Sequence, residues 1–133
     1  MKSYKILLIE DDEVDIIATK KAFEKTTEKD LIVATNADQA MEILNDPKII
    51  RPLIILLDIN LPKTDGFELL KNIKKSKELR HIPVIMMTSS NNEEDILKAY
   101  KNYAAGYLTK PIDIKQFTEK ISALEKYWNV CEI

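Results

Sequence analysis

Four segments of this chain carry residue types that could do chemistry together: Glu10-Asp11-Asp12, Asp58, Thr88 and Lys110. They amount to three or four carboxylates, one hydroxyl and one ammonium. Clustered carboxylates repel, and a hard divalent cation is the simplest group that holds them together. Mg2+ takes few protein oxygens and keeps several waters, which leaves room for a phosphate oxygen. The Lys110 ammonium would neutralise a second phosphate oxygen as a point charge, and the Thr88 hydroxyl would donate to a third. Metal, ammonium and hydroxyl around one carboxylate make a site for phosphoryl transfer, where positioning and charge neutralisation do most of the catalysis. Asp58 is then the nucleophile, since an aspartyl-phosphate is a recognised covalent intermediate.

These residues meet only if the elements that carry them share an edge. Leu53-Ile54-Ile55-Leu56-Leu57 runs without interruption into Asp58, with Pro62 and Gly66 following. So short an apolar run, closed by turn residues, predicts a strand buried on both faces, as in a parallel sheet. A lone charge at its end is costly unless something uses it. Lys5–Ile9, Leu31–Ala34, Pro83–Met87 and Gly106–Leu108 predict four more strands. Helical periodicity fills the gaps. Asp12 caps a helix with Val14, Ile17, Ala18 and Ala22 inward. Asn36 to Gln39 form a loose capping box, with Ala37, Ala40, Met41 and Leu44 inward. Asp65 caps a helix that buries Phe67, Leu70 and Ile73, its lysines 71, 74, 75 and 77 forming a solvated face. A fourth helix starts near Asn92 and uses Ile96, Tyr100 and Tyr103; a fifth is capped by Asp113 and uses Ile114, Phe117, Ile121, Leu124 and Trp128. Five alternations predict an α/β protein with a mostly parallel sheet, helices on both faces and right-handed crossovers. Ligands of such sheets bind at the carboxyl ends of the strands, where the candidate residues fall.

Bulk properties agree. The chain has 133 residues, 45% hydrophobic and 32% charged, which is enough for one well-cored domain. A net charge of −2 argues against a dedicated nucleic-acid surface. Cys131 is the single cysteine, so no internal disulfide forms and a reducing compartment fits. No apolar run is long enough to span a bilayer, and no secretory signal opens the chain. The expectation is a cytoplasmic single-domain protein.

Ile9-Glu10-Asp11-Asp12, Leu57-Asp58-Ile59-Asn60-Leu61-Pro62 with Asp65-Gly66, Met87-Thr88-Ser89, and Tyr107-Leu108-Thr109-Lys110-Pro111 resemble the motifs of receiver domains of two-component response regulators. The resemblance spans Tyr4 to Lys126. It implies the flavodoxin-like strand order 2-1-3-4-5, with Asp58 taking a phosphoryl group from the phosphohistidine of a histidine kinase or histidine phosphotransfer protein. It implies Mg2+ held by Glu10, Asp11, Asp58 and the Asn60 main-chain carbonyl, with Asp12 as a helix cap. Thr88 and Lys110 match the switch hydroxyl and phosphate-binding lysine, Tyr107 the aromatic whose pose reports phosphorylation, and Lys110-Pro111 the family's cis peptide. Phosphorylation, adding about −1.5 to −2 charge at Asp58, would reshape the face of the fourth and fifth helices and fifth strand for a downstream protein partner. Tyr103 stands where receivers commonly carry a glycine, and Asn102 is expected to take the left-handed conformation there. Asn60 and Ser90 are expected to tune the phosphoryl lifetime. With no effector domain after the tail at residues 127–133, the chain resembles the single-domain regulators that pair with phytochrome-type kinases, and a homodimer through the fourth and fifth helices and the tail is expected. Two alternatives are a haloacid-dehalogenase-type Mg2+-dependent phosphatase, which needs an acid where Asn60 stands, and a non-phosphorylated pseudo-receiver, which would lack Asp58, Lys110 or the acidic pair. A flavin-binding flavodoxin-like domain would need a glycine- and hydroxyl-rich loop where Glu10-Asp11-Asp12 stands.

Overall fold

Ile6-Leu7-Leu8-Ile9 places four aliphatic side chains in succession, and a strand can bury all of them only when both its faces are covered. The computed structural model of the chain, which describes residues 2–3, 6–22, 31–89, 92–113, 115, 117 and 119, has this arrangement. Its elements are β1 (Lys2–Ser3), β2 (Ile6–Ile9), α1 (Glu13–Ala22), β3 (Leu31–Ala34), α2 (Ala37–Asn45), β4 (Ile49–Ile50), β5 (Ile54–Asp58), α3 (Gly66–Lys75), β6 (Val84–Thr88), α4 (Glu93–Lys101) and β7 (Gly106–Thr109). Five strands form one parallel sheet in the order β3-β2-β5-β6-β7; counted along the chain within that sheet, this is 2-1-3-4-5. A two-stranded parallel pair, β1 with β4, lies outside the predicted scheme. Two residues per strand is too short for a periodic signal. Among the described residues, no helix is long and apolar enough to cross a membrane.

Strand alternation divides the core in two. Leu7, Ile9, Ile55, Leu57, Val84, Met86 and Tyr107 face the side covered by α2, α3 and α4. Ile6, Leu8, Ile54, Leu56, Ile85, Met87 and Leu108 face the side of Ile16 on α1 and of Phe117. With a period of two, Asp58 is directed to the α1 side and Thr88, like Tyr107, to the α4 side. Register completes the placement: Asp58 pairs with Met87 and Thr88 with Thr109, so the strand ends stand level.

The predicted caps at Asp12, Asn36, Asp65 and Asp113 are present, and Asn92 adds another. The Asp12 carboxylate accepts the N–H groups of Val14 (2.8 Å) and Asp15 (3.1 Å), Asn36 accepts from Gln39 (2.8 Å), Asp65 from Phe67 (2.9 Å), Asn92 from Glu94 (2.8 Å) and Asp113 from Lys115 (2.9 Å). The Gln39 side chain does not complete a box; it accepts from the backbone N–H and hydroxyl of Thr35 instead. Lys115, Phe117 and Glu119 are helical; Ile114, Ile121, Leu124, Trp128, the tail and Ser90 lie outside the described residues.

Several expectations are corrected. Val14 and Ile17 are 73% and 56% exposed, and Ala18 is exposed too; α1 instead turns Asp15, Ile16 and Thr19 inward. That face can be polar because the Thr19 hydroxyl donates to the Asp15 carbonyl (2.8 Å) and the Asp15 carboxylate meets the Lys110 ammonium. Leu53 precedes β5 and is half exposed. In α4 the inward residues are Ile96 and Ala99, while Tyr100 and Tyr103 face solvent. Tyr103, at φ 69°, takes the left-handed position, and Asn102 stays at φ −99°; Asn102 is occupied as the helix cap, its N–H and its amide both bonded to the Lys98 carbonyl. Lys74 leaves the solvated face, donating to the carbonyls of Arg80 (3.0 Å) and Ile82 (2.8 Å); burial lowers its pKa.

One glycine fixes how closely α3 approaches β5. A Cβ on Gly66 would lie 2.3 Å from the Asp58 carbonyl oxygen and 2.8 Å from Ile59 Cα, both backbone atoms that cannot swing aside. The Gly66 N–H donates to the Ile59 carbonyl at 2.8 Å, so the contact is also bonded. Gly66→Ala is expected to cost about 3 kcal/mol through overpacking, read as a lower urea midpoint at unchanged slope.

Candidate functional site

The carboxyl edge of the sheet brings together residues that the sequence holds far apart. Asp58 ends β5 and is buried; its Oδ1 accepts the Asn60 N–H (3.1 Å) and its Oδ2 accepts from Lys110 Nζ (3.0 Å). Glu10 follows β2 at 0% exposure, its N–H tied to the Ala34 carbonyl and its Oε1 facing the Lys110 ammonium. Asp11, beside it, is exposed. Lys110 follows β7, and its N–H donates to the Thr88 carbonyl at 2.7 Å. The Lys110-Pro111 peptide is cis, as expected. Each side chain is therefore fixed by a strand end or by a backbone bond next to one.

Glu10, Asp11 and Asp58 each offer an oxygen, all within 4.8 Å of one another. Glu10 Oε1 has no hydrogen-bond donor beyond that ammonium contact. Three hard oxygens so close, one buried and short of partners, suit a divalent oxygen-seeking cation. The Asn60 main-chain carbonyl would be a fourth donor on this reading. An open cleft of about 550 Å3 leads to this edge, lined by Asp11, Asn60, Pro62, Asp65, Phe67, Asp95 and Lys98 among others. The Lys98 ammonium covers the Phe67 ring at 4.6 Å.

The electrostatics follow from this crowding. Burial is the main cause that lifts the Glu10 pKa from 4.5 to about 7, and a hydrogen bond with Asp58 adds to it; Lys110 offsets only part. Burial lowers the Lys110 pKa, but Glu10, Asp15 and Asp58 together outweigh it and raise it. A carboxyl raised in the fold binds its proton more tightly there than in the unfolded chain. Its stabilising contribution is full below pH 4.5 and lost as pH rises through about 7. In metal-free buffer, the stability difference between wild type and Glu10→Gln should move against wild type by up to about 3 kcal/mol across that window. Urea melts at several pH values would show it, and a flat difference would contradict it.

Thr88 and Tyr107 occupy the opposite face of the sheet from Asp58. Tyr107 is buried, and its hydroxyl hydrogen-bonds the Thr88 side chain; burial raises its pKa and that bond lowers it. The candidate switch pair is thus joined, with Tyr107 turned inward. Asp15 was missed as a site residue. Its Oδ2 accepts from Lys110 Nζ at 3.0 Å across 95 positions. Charge spacing along one helix could not have revealed a partner so distant.

Fold and site together define a doubly wound α/β domain with an acidic, lysine-containing crevice at the carboxyl edge of its sheet. The chain belongs to the response regulator receiver domains of two-component systems, whose family model matches residues 6–122. Among curated proteins it is similar to response regulator Rcp1 of Synechocystis sp., 36% identical over 131 residues, which cover 92% of this chain and 87% of that one. Among solved structures it is similar to the bacteriophytochrome response regulator AtBRR, with a TM-score of 0.80 at 35% identity over 92% of both chains. It also matches the Mn2+-bound form of Rcp1, with a TM-score of 0.73, 35% identity and 92% coverage of each.

Proposed function

We propose that the chain is a single-domain response regulator, residues 1–133 with its core at about 4–126, working in the cytoplasm as a phosphoryl acceptor. One observation carries the reading: Asp58 is buried at a strand end with Lys110 Nζ at 3.0 Å, inside the acidic group of Glu10 and Asp11. An Asp58 carboxylate oxygen attacks the phosphorus of a phosphohistidine on a histidine kinase or phosphotransfer protein. The P–N bond breaks, and the imidazole nitrogen keeps the electron pair and takes up a proton. Glu10, Asp11, Asp58 and the Asn60 carbonyl would hold Mg2+, which when bound offsets charge on the transferred phosphoryl oxygens. Lys110 donates to one of those oxygens, and the Thr88 hydroxyl turns toward another. The exposed Val14 and Ile17, close to the acidic edge, support docking of a protein donor there.

Output follows from the Thr88–Tyr107 bond. A Thr88 hydroxyl engaged by phosphate changes its bond to Tyr107, and the face of α4, β7 and the last helix changes with it for a downstream partner. A homodimer through that face, with the tail, is part of the proposal; sedimentation as a monomer at high concentration, with and without a phosphate mimic, would count against it. The haloacid-dehalogenase alternative lacks its second acid, because position 60 carries the uncharged amide of Asn60. Incubation with acetyl phosphate or beryllium fluoride, with and without Mg2+, tests the whole reading. Mg2+-dependent uptake by wild type is expected, and no uptake in either condition would end it.

A further inference from the structure

Three carboxylate oxygens meet the Lys110 ammonium: Glu10 Oε1, Asp15 Oδ2 at 3.0 Å and Asp58 Oδ2 at 3.0 Å. An ammonium has three N–H donors, so in this arrangement all are engaged and none faces an incoming phosphate. Glu10 and Asp58 also belong to the acidic group suited to a divalent cation, and Asp15 does not. Once Glu10 turns to a cation, its hold on Lys110 ends, one N–H is released for a phosphoryl oxygen, and the like-charged cation and ammonium repel. Something outside the metal group must then keep Nζ beside Asp58. Among the described residues, Asp15 is the remaining partner that can do so. Its own position is fixed at the start of α1, where the Asp12 carboxylate accepts its N–H and the Thr19 hydroxyl bonds its carbonyl.

We infer that Asp15 is a positioning residue, holding the Lys110 ammonium beside Asp58 while Glu10 serves the cation. This rests on the phosphoryl-acceptor reading and adds to it a carboxylate from α1. The side chain of Asp15 is 38% exposed, so its removal leaves no buried charge stranded and the fold should survive. Truncation frees Lys110 to swing toward solvent. The Asp15→Asn amide oxygen still accepts an N–H and should hold it.

Two readouts test this in Asp15→Ala, with Asp15→Ser as a second truncation in case the first folds poorly. The first is the Lys110 ammonium resonance in 1H–15N spectra of Mg2+-saturated protein before any phosphoryl donor is added, assigned with Lys110→Ala. It should be present in wild type and Asp15→Asn and lost in the truncations. The second is acetyl phosphate uptake at saturating Mg2+, where truncation should slow the maximal rate about tenfold through misplacement of the lysine. Asp15→Asn should stay within about threefold of wild type, and Mg2+ affinity should change by no more than that in any of the three Asp15 variants, since a solvent-screened charge is weakly felt. A retained ammonium signal or a wild-type rate in the truncations overturns the inference, as does a loss of Mg2+ affinity equal to that of Glu10→Gln. If wild type itself takes up no phosphoryl group, the acceptor reading fails while the ammonium spectra still decide the role of Asp15.

Discussion

Asp58→Asn is expected to lower phosphoryl uptake from acetyl phosphate by at least about 100-fold, because an amide oxygen is a poor nucleophile and no second group takes its place. Glu10 and Asp11 lie close enough to compete, with oxygens inside the same 4.8 Å group. Neither is equally prepared. In the absence of a cation Glu10 is pushed up to about 7, so part of it is protonated near neutral pH; with Mg2+ bound its carboxylate would serve the cation. Asp11 is exposed and has no ion pair to the lysine among the described residues. Asp58 has one oxygen fixed by the Asn60 N–H at 3.1 Å and the other by the ammonium at 3.0 Å, whereas the Asp12 N–H reaches Glu10 Oε2 only at 3.4 Å. Tryptic mass mapping of the trapped phosphate checks this. Labelling of Asp58→Asn at the wild-type rate, or label on Glu10 or Asp11 in wild type, would move the acceptor elsewhere.

Lys110→Ala should have the largest effect on stability, and the effect should depend on metal. Lys110 neutralises Glu10, Asp15 and Asp58 in the absence of a cation. Its removal leaves two buried carboxylates uncompensated, and removing one partner of a buried ion pair costs about 3–5 kcal/mol. Asp15 is partly exposed and adds little. Glu10 can relieve part of the strain by keeping its proton, so the loss should be smaller at pH 6 than at pH 8. Saturating Mg2+ should restore most of it, since the cation supplies the missing charge, and the variant should bind Mg2+ more tightly than wild type. Denaturant melts in chelator and in Mg2+ measure both parts. A loss that Mg2+ does not relieve would place the role of Lys110 in packing rather than charge.

Much of this was legible in the chain because strands buried on both faces leave an unambiguous trace. Ile6–Ile9 and Ile54–Leu57 are apolar without interruption, and the first polar residue after each marks the sheet edge. Glu10, Asp58, Thr88 and Lys110 were therefore placed on one edge from sequence, and the structure brings Glu10, Asp58 and Lys110 into contact while tying the Lys110 backbone to Thr88. Local capping signals at Asp12, Asn36 and Asp65 were equally clear, since a cap is decided by residues two or three apart.

Helix rotation was another matter. In α1 two faces of similar periodicity compete, Val14-Ile17-Ala18 and Asp15-Ile16-Thr19, and hydrophobicity favours the first. The tertiary structure chose the second, because the Lys110 ammonium 95 positions away gives Asp15 a partner when it turns inward. The same holds for Tyr103, which takes the left-handed turn only because Asn102 is already bonded as the cap of α4. The sequence by itself determined the sheet, its edge and the types of group gathered there, since each depends on neighbours in the chain. Only the tertiary structure decided which carboxylates share the lysine, because an ion pair is set by distance in space.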